Sequence, residues 1–346
     1  MEIRSISTPE FFDLEEKRVK REIIERGARR VLIQVPEGLR SQIFRVAETD
    51  EDAGAEPIVS ADPCYGACDL ALDEARNVGA DLIIHYGHSE LPCELGIPII
   101  YVEARANLPV EDVIRKSLDL LRNYRKIGLV TTIQHIDKLS KARGILAKEG
   151  KEVLIGCSSR NLRRGQVIGC DFSNAVTLKD DVEVFLFIGG GRFHALGVKI
   201  STLKPTYVAD PFTNSVYTVD EEVWKILRQR FACIVEARKA KKFGILLGLK
   251  TGQRRIDLAI KTAKMLRSKG KAALILALRE ITPEVLSQFQ TIEAFVNTAC
   301  PRISLDAAAR FRVPVLSINE ALVVLEEMSW EDLCRGGLLA DSSWRW

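Results

Sequence analysis

The chain has 346 residues, 47% apolar and 28% charged, and its 50 lysines and arginines against 47 acidic residues give a formal net charge of +3. This length predicts two or three domains, each with its own core, and the apolar content excludes a disordered chain. No apolar run reaches the roughly 18 residues that a membrane span needs, and residues 1–30 lack the apolar segment of a signal peptide. The small surplus of positive charge is spread along the chain without a long basic tract, which argues against a nucleic-acid-binding protein. We therefore expect a soluble cytoplasmic protein that binds neither nucleic acid nor a membrane.

Short apolar runs and amphipathic helical segments alternate along the whole chain, a pattern typical of βαβ units and parallel sheets. Three of the runs directly follow a basic cluster and mark equivalent starts: VLIQV (31–35), IGLVTT (127–132) and FGILLGL (243–249). Helical periodicity is clearest at 136–150 and 255–270, and both segments end at a glycine suited to a helix C-terminus. The next predicted strands begin at once, at 151–156 and 271–278.

These starts divide the chain into three parts, referred to below as thirds, and the second half of each third contains a further repeated pattern. An acidic residue heads an apolar run at 80–89, 182–194 and 291–304. A strand marked by proline follows each run, at 96–104, 203–212 and 312–321. This repeat predicts an α/β protein with three similar domains, each a small parallel sheet of about four strands, at residues 1–107, 108–217 and 218–346. The alternative is one large doubly wound sheet in which the recurrence is coincidental.

The chain contains eight cysteines, and the reducing cytosol argues against a disulfide framework. Most free cysteines are small buried hydrophobic residues. Each third, however, presents a cysteine in a loop at the carboxyl end of a strand, where open parallel sheets bind ligands. If these strand ends face a common centre, three cysteines converge on one central site: Cys64, Cys170 and Cys300.

Three converging thiolates are typical of a soft metal and leave one coordination position for a substrate. Zinc and a 4Fe-4S cluster with one open iron both satisfy this pattern, although zinc sites usually include histidine too. Two rival ligands are also present. Cys68 forms a C-x3-C pair with Cys64, and Cys157 lies closer than Cys170 to the topological equivalent of Cys64. Spacing alone does not choose among these alternatives.

Seven stretches of sequence stand out beyond the repeat: QVPEGL (34–39), SADPCYGACD (60–69), ADLIIHYGHSELP (80–92), IGCDFSNA (168–175), FIGGGRFHALG (187–197), DPF (210–212) and NTACPRIS (297–304). They resemble the archaeal diphthamide biosynthesis (Dph2) family, the 2-(3-amino-3-carboxypropyl)histidine synthases. The resemblance runs from about Ile23 to Leu325, in the expected order, and it includes all three cysteine contexts.

The resemblance implies a homodimeric transferase with three similar domains around a 4Fe-4S cluster held by Cys64, Cys170 and Cys300. It implies cleavage of S-adenosylmethionine and transfer of its 3-amino-3-carboxypropyl group to carbon 2 of a histidine imidazole in translation elongation factor 2. A carbon radical suits this reaction, because polar alkylation of an imidazole goes to a ring nitrogen. The C-x3-C-x2-C triplet of most radical S-adenosylmethionine enzymes is absent, since Ala71 stands where its third cysteine would be. The sequence does not identify the reductant.

Two predicted backbone features are suited to binding this cofactor. The turn after the first strand is placed to receive a carboxylate or ribose near a helix N-terminus, and its candidate residues are Gln34, Pro36, Glu37 and Gly38. Gly189, Gly190 and Gly191 end the third strand of the second third and permit close backbone approach to a ligand. The structural alternatives are an ordinary helix-starting turn and a plain loop.

Three side chains are candidates for chemistry or ligand pairing. His88 and His194 lie at matching ends of the third strand in their repeats, where either could remove a proton or orient the substrate imidazole. Arg302, two residues beyond Cys300, is placed to pair with the methionyl carboxylate. Structural histidines and an ordinary salt bridge are the alternative interpretations.

Two other functions are consistent with the sequence. A quinolinate-synthase-like dehydratase would use the open iron of a three-cysteine cluster as a Lewis acid. A non-catalytic subunit would carry a cluster and pass electrons to an active partner. The retained cysteine contexts favour a catalytic chain.

Overall fold

The structure, a computed structural model, describes residues 11–90, 96–157, 162–306 and 310–339. The chain divides into two compact units. Unit 1 comprises Met1–Val110 and Ile133–His135, and unit 2 comprises Glu111–Thr132 and Ile136–Trp346. Within the described ranges, no helix combines the length and the apolar character that crossing a membrane requires.

Unit 1 is built on a four-stranded parallel sheet. Its elements are β1 (Phe12–Asp13), α1 (Glu16–Arg26), β2 (Arg30–Gln34), a 3₁₀ helix (Glu37–Gln42), α2 (Ile43–Glu51), β3 (Glu56–Val59), α3 (Leu72–Val78), β4 (Leu82–Tyr86), β5 (Ile99–Val102) and β6 (Arg105–Ala106). The strand order is β3-β2-β4-β5, while β1 and β6 form a separate antiparallel pair. The side chains of β2 and β4 are buried almost throughout, as expected for central strands covered on both faces.

The next sheet lies in unit 2. Its elements are α4 (Glu111–Leu121), β7 (Lys126–Thr131), a 3₁₀ helix (Ile133–Lys138), α5 (Leu139–Lys148), β8 (Glu152–Leu154), α6 (Ser173–Val176), β9 (Val184–Ile188), α7 (Phe193–Thr202), β10 (Thr206–Asp210) and β11 (Ser215–Thr218). The order is β8-β7-β9-β10-β11. The strands are parallel except β11, which pairs antiparallel with β10 and was not predicted from the sequence.

The last sheet also lies in unit 2. Its elements are α8 (Asp220–Ala237), β12 (Lys242–Gly248), a 3₁₀ helix (Thr251–Gln253), α9 (Ile256–Ser268), β13 (Ala272–Leu278), α10 (Pro283–Ser287), β14 (Ala294–Asn297), α11 (Pro301–Asp306), β15 (Val315–Leu316), α12 (Ile318–Val324) and α13 (Trp330–Gly336). The order is β13-β12-β14-β15, all parallel. Both sheets of unit 2 contribute to one continuous hydrophobic core, with Phe185 and Phe187 from one and Phe243 and Ile245 from the other.

The three large sheets therefore share one strand order: second, first, third and fourth strand of each repeat. This arrangement confirms the predicted α/β class with several parallel sheets and excludes one large doubly wound sheet. The domain boundaries at 1–107, 108–217 and 218–346 stay a prediction, because compactness separates two units and the second contains two sheets around a shared core.

An acidic side chain ties the first strand to the third in every one of these sheets. The acid accepts hydrogen bonds from backbone N–H groups where the first strand begins: Asp81 from Arg29 and Arg30, Glu183 from Arg125 and Lys126, and Glu293 from Lys241 and Lys242. These backbone donors hold the pKa values of Glu183 and Glu293 below the ordinary glutamate value. Two sequence patterns, the acid before the third strand and the basic cluster before the first, thus meet in one contact.

Candidate functional site

Cys64 in unit 1 lies beside two histidines. It is on the loop between β3 and α3, and only 8% of its surface is exposed. The Sγ atom of Cys64 and a ring nitrogen from each of His85 and His88 all lie within 4.8 Å of one another. His85 belongs to β4 and is fully buried, whereas His88 follows the strand and is half-buried. The sequence patterns predict His88 but not His85, because a single polar residue inside the apolar strand LIIHY gives no distinguishing signal.

The side chain of Gln34 fixes this cluster. It is 3% exposed at the end of β2, and its Nε2 donates to the carbonyl oxygen of Asp69 at 2.6 Å. Its Oε1 accepts the N–H of Ala71 at 3.2 Å and lies 2.9 Å from Nδ1 of His85. His85 Nδ1 therefore carries a proton and donates it, which leaves His85 Nε2 as an acceptor 2.9 Å from Nδ1 of His88. One amide thus holds the end of the cysteine loop and sets a histidine tautomer.

Both histidines are uncharged near neutral pH. Burial holds the pKa of His85 well below its ordinary value, and the neighbouring His88 lowers it further. Burial also lowers the pKa of His88 to about 4. Neutral imidazoles and a cysteine sulfur are the donors that borderline and soft metals select.

In unit 2 the loop that carries Cys170 contacts the segment that follows Cys300. A Cβ atom built on Gly169 would lie 3.1 Å from the ring of Phe193 and 3.5 Å from Cδ of Arg302. The Arg302 guanidinium carbon is 3.8 Å from the centre of that ring, a cation–π contact. Because Gly169 precedes Cys170 and Arg302 follows Cys300 by two residues, both cysteine contexts belong to one neighbourhood.

Buried amides also hold these two loops. Asn174 is fully buried, and its Nδ2 donates to the carbonyl oxygens of Arg163 and Gln166, both at 2.8 Å. Asn297 is fully buried as well. Its Nδ2 donates to the carbonyl oxygen of Cys300 at 2.6 Å, and its Oδ1 accepts the N–H of Ala299 at 2.9 Å.

Each of the three cysteine loops is therefore anchored by one buried primary amide, from Gln34, Asn174 and Asn297. The sequence patterns assign no role to Asn174 or Asn297. The only available signal was their presence within the motifs IGCDFSNA and NTACPRIS.

The turn after β2 begins a 3₁₀ helix before α2. Pro36 is half-buried, and a Cβ on Gly87 would lie 2.8 Å from its Cγ. Glu37 and Gly38 are exposed at the start of this 3₁₀ helix, where they are accessible to a ligand. Gln34 differs from them, because its amide is already occupied by contacts within the protein.

The glycine run follows β9. Gly189 is buried, while Gly190 and Gly191 are exposed. Gly191 has a φ of 77°, which favours glycine, and a Cβ on Gly190 would lie 2.8 Å from the ring of Phe212. His194 begins the following helix region and stacks on Phe187, with ring centres 5.9 Å apart.

His194 belongs to the same neighbourhood as Arg302. The rings of His194 and Phe193 are in an edge-to-face contact with 5.1 Å between their centres. The Arg302 guanidinium packs over the same Phe193 ring. Phe193 thus brings together His194 and Arg302, which come from separate motifs.

The remaining described cysteines fall into two groups. Cys233 and Cys334 pack against the core of unit 2, and burial raises the pKa of both thiols, as expected for structural cysteines. Cys68 is half-buried in the Cys64 loop and Cys157 is exposed. Cys93 lies outside the described residues.

The fold and these loops define an α/β protein of repeated parallel sheets with thiol and imidazole donors at the strand ends. A family model described as "Putative diphthamide synthesis protein" matches residues 35–334. The 2-(3-amino-3-carboxypropyl)histidine synthase of Pyrococcus horikoshii is 37% identical over 329 residues, 94% of each chain. Subunit 1 of the corresponding synthase of Nematostella vectensis is 30% identical over 328 residues, 93% of this chain and 69% of its own.

A solved structure supports the same family assignment. The crystal structure of Dph2 from Pyrococcus horikoshii with a 4Fe-4S cluster has a TM-score of 0.84 and 37% identity, with 92% of each chain covered. The chain belongs to the diphthamide synthesis protein family, which confirms the resemblance predicted from its motifs.

Proposed function

We propose that the chain transfers the 3-amino-3-carboxypropyl group of S-adenosylmethionine to carbon 2 of one histidine imidazole in translation elongation factor 2, the first step of diphthamide biosynthesis. The observation that carries the proposal is 37% identity to the Pyrococcus horikoshii synthase over 94% of both chains. The transferase acts as a homodimer in the cytoplasm, where elongation factor 2 works. Family membership argues against the quinolinate-synthase-like alternative.

The proposed ligands of a 4Fe-4S cluster are Cys64, Cys170 and Cys300. The donor set suits the group, because each thiol lies on a loop anchored by a buried amide and each is at least half-buried. Cys157 is less suited, because it is exposed. When bound, such a cluster would supply the electron that breaks the Cγ–S bond of S-adenosylmethionine to give an aminocarboxypropyl radical, and it would take back one electron when the substituted imidazole loses its proton.

Arg302 is proposed to hold the methionyl carboxylate. The ring of Phe193 supports one face of its guanidinium, so the planar fork is pre-oriented for a bidentate contact. The exposed glycines Gly190 and Gly191 permit close backbone approach, and Glu37 and Gly38 are proposed to meet the nucleoside. The contribution proposed for Gln34 is positional, since its amide orders the Cys64 loop.

His88 and His194 are the proposed acceptors of the proton that the substrate imidazole loses from carbon 2. In the hydrogen-bonded pair, His88 donates its Nδ1 proton to His85. A neutral His88 therefore keeps an electron pair on Nε2 and can accept a proton there. His194 lies beside Phe193, next to the proposed carboxylate site.

Anaerobically purified protein tests the ligand assignment. We expect about four irons per chain and a brown colour, both lost when Cys64, Cys170 or Cys300 is replaced by Ala, because the iron loses a thiolate ligand. Cys157→Ala is the matched control and should keep both. Loss of iron in Cys68→Ala together with retention in Cys170→Ala would contradict this ligand set.

The reaction itself is tested with reduced protein, S-adenosylmethionine and elongation factor 2. Methylthioadenosine and a factor carrying one aminocarboxypropyl group are the expected products. Arg302→Lys should raise the KM for S-adenosylmethionine and His88→Gln should lower kcat, both with iron content unchanged; unaltered kinetics would remove these residues from the site. A wild-type protein that holds the cluster but transfers nothing until a second protein is added would support the electron-transfer subunit instead.

A further inference from the structure

We propose that Cys64, His85 and His88 form a mononuclear site for a soft or borderline divalent cation such as Zn²⁺, an alternative to the three-cysteine cluster that shares Cys64 with it. The donors are one thiol sulfur and two imidazole nitrogens, all within 4.8 Å of one another. All three belong to unit 1, so the site does not depend on any residue of unit 2.

The spacing is close to that of a tetrahedral zinc site. Zn–N bonds of about 2.0 Å and Zn–S bonds of about 2.3 Å place neighbouring ligand atoms roughly 3.3–3.6 Å apart. His85 Nε2 and His88 Nδ1 are 2.9 Å apart and need to separate only slightly. A thiol at the outer limit of 4.8 Å would have to move inward by about 1 Å, within the reach of a cysteine rotamer change. Three protein ligands leave the fourth position to water.

The surroundings already orient the first ligand. Metal-binding histidines almost always donate their second ring N–H to a fixed acceptor, which sets the tautomer and the direction of the ring. Gln34 Oε1 is that acceptor for His85, and Gln34 is itself held by the backbone of Asp69 and Ala71. His85 is therefore already in the tautomer that places its electron pair on Nε2, and this pair becomes available to a cation once His88 stops donating to it.

His88 needs one change. Its Nδ1 now donates to His85, so it must carry its proton on Nε2 to offer Nδ1 to a cation. The change is between two neutral tautomers. Two metal–nitrogen bonds then replace one hydrogen bond.

The site has a consequence that rests on the proposed function. Cys64 is also the unit 1 ligand proposed for the cluster, and a thiolate held by a mononuclear cation is not available to the cluster's iron. Zn²⁺ bound at Cys64, His85 and His88 would therefore block cluster assembly. The two occupants exclude each other.

Cobalt absorption tests the mononuclear site. The full-length, chelator-treated and reduced protein is titrated with Co²⁺, and we expect one equivalent to give visible d–d bands and a near-ultraviolet thiolate charge-transfer band, both abolished by Zn²⁺. The bands should be lost in Cys64→Ser and His88→Gln. A Cys170→Ala/Cys300→Ala double variant is the matched control and should keep them. Thermal unfolding checks that each variant is folded, and half-buried His88 is the safer substitution.

Two results would overturn the mononuclear site: full cobalt bands in His88→Gln, or their loss in the Cys170→Ala/Cys300→Ala variant. Neither result bears on the transferase, whose iron content and activity are measured separately. The exclusion is tested by adding iron and sulfide to Zn²⁺-loaded protein, where we expect no cluster until a chelator removes the zinc. A cluster that assembles with zinc still bound would overturn the sharing of Cys64 and would count against Cys64 as a cluster ligand.

Discussion

Asp50 is a carboxyl group within the core of unit 1. Its exposure is 0%, and among the described residues neither carboxyl oxygen has a hydrogen-bond partner. Burial raises its pKa to about 7. The unfolded chain has an aspartate pKa of about 3.9, so the folded state binds the proton more tightly. Asp50 therefore makes unfolding easier as the pH rises from about 4 through 7, because folding must then bury a charge or retain a proton.

Replacing Asp50 with Asn removes this pH dependence while keeping the shape of the side chain. A rise in the pKa from about 4 to about 7 corresponds to roughly 4 kcal/mol. The free energy of unfolding that Asp50→Asn adds relative to wild type should therefore be about 2–3 kcal/mol larger at pH 8 than at pH 5. Urea unfolding at both pH values measures the difference. Exposed Asp52, paired with Lys20 at 2.6 Å, is the control, and Asp52→Asn should show no comparable change. An equal effect of Asp50→Asn at both pH values would mean that Asp50 does not titrate in this range.

Sequence patterns predict residues of distinctive chemistry more readily than they predict the residues that position the surrounding loops. Cys64, Cys170 and Cys300 are predicted because each third of the sequence presents a cysteine at the carboxyl end of a strand. Asn174 and Asn297 are polar residues with no visible pattern, and only the folded loops show that their amides are buried and bonded to the backbone. Gln34 was selected for a ligand contact, but the register of β2 against β4 turns its side chain toward His85. Such roles depend on contacts distant in sequence.

At the scale of elements, the first and third strands of each sheet pack as complementary pairs. At the equivalent position of this strand pair, Leu32 lies beside Ile83, Gly128 beside Phe185, and Gly244 beside Phe295. The two sheets of unit 2 thus place a glycine beside a phenylalanine ring. The sheet of unit 1 places two aliphatic side chains, leucine and isoleucine, at this position. A Cβ on Gly128 would lie 2.4 Å from Cε1 of the fully buried Phe185. The glycine leaves space for the ring.

Adding a methyl group at this position should overpack the core. We expect Gly128→Ala to destabilise unit 2 by about 1–3 kcal/mol, since the added methyl group would force the fully buried ring of Phe185 to move within a close-packed core. The Gly128→Ala/Phe185→Leu double variant should be more stable than the sum of the single changes, by a coupling of about 1 kcal/mol. Guanidinium chloride unfolding of the four proteins gives this coupling. Additive effects would show that the ring and the glycine are not packed as a pair.

The recurrence of three similar parallel sheets was predictable because each repeat carries the same elements along the chain, and the acids Asp81, Glu183 and Glu293 mark equivalent positions. The order of the strands within each sheet was not predicted. β11 was missed, because its four residues, three half-buried and one exposed, form neither an apolar run nor a clear alternation. The helix expected at 136–150 begins as a 3₁₀ helix, with α5 from Leu139. Local sequence propensity does not distinguish a 3₁₀ helix from an α-helix in the first turns of this segment.

For the whole molecule, the repeat predicts topology better than it predicts independent units. The two sheets of unit 2 share one core, in which Arg230 on α8 is fully buried. Its guanidinium pairs with Glu320 and donates to the carbonyl oxygens of Ser304 and Val315. The helix that precedes β12 is therefore tied to the segment after Cys300. These contacts lie within the predicted domain 218–346, whereas the core that Phe187 and Phe243 share extends across the boundary predicted at 217/218.

The proposed homodimer needs a surface, and the edge strand β13 offers one. Leu274 is 63% exposed and Ile275 37% exposed on this outermost strand of its sheet. Apolar edge strands favour pairing with another chain, and monomeric proteins usually protect them. We therefore expect Leu274→Glu to convert the dimer to monomers in sedimentation equilibrium at micromolar concentration. Phe44→Glu, on α2 at 83% exposure, is the control and should leave the dimer intact. Because exposed substitutions usually change stability by no more than about 0.5 kcal/mol, unfolding would not explain a monomer. An unchanged dimer would place the interface elsewhere.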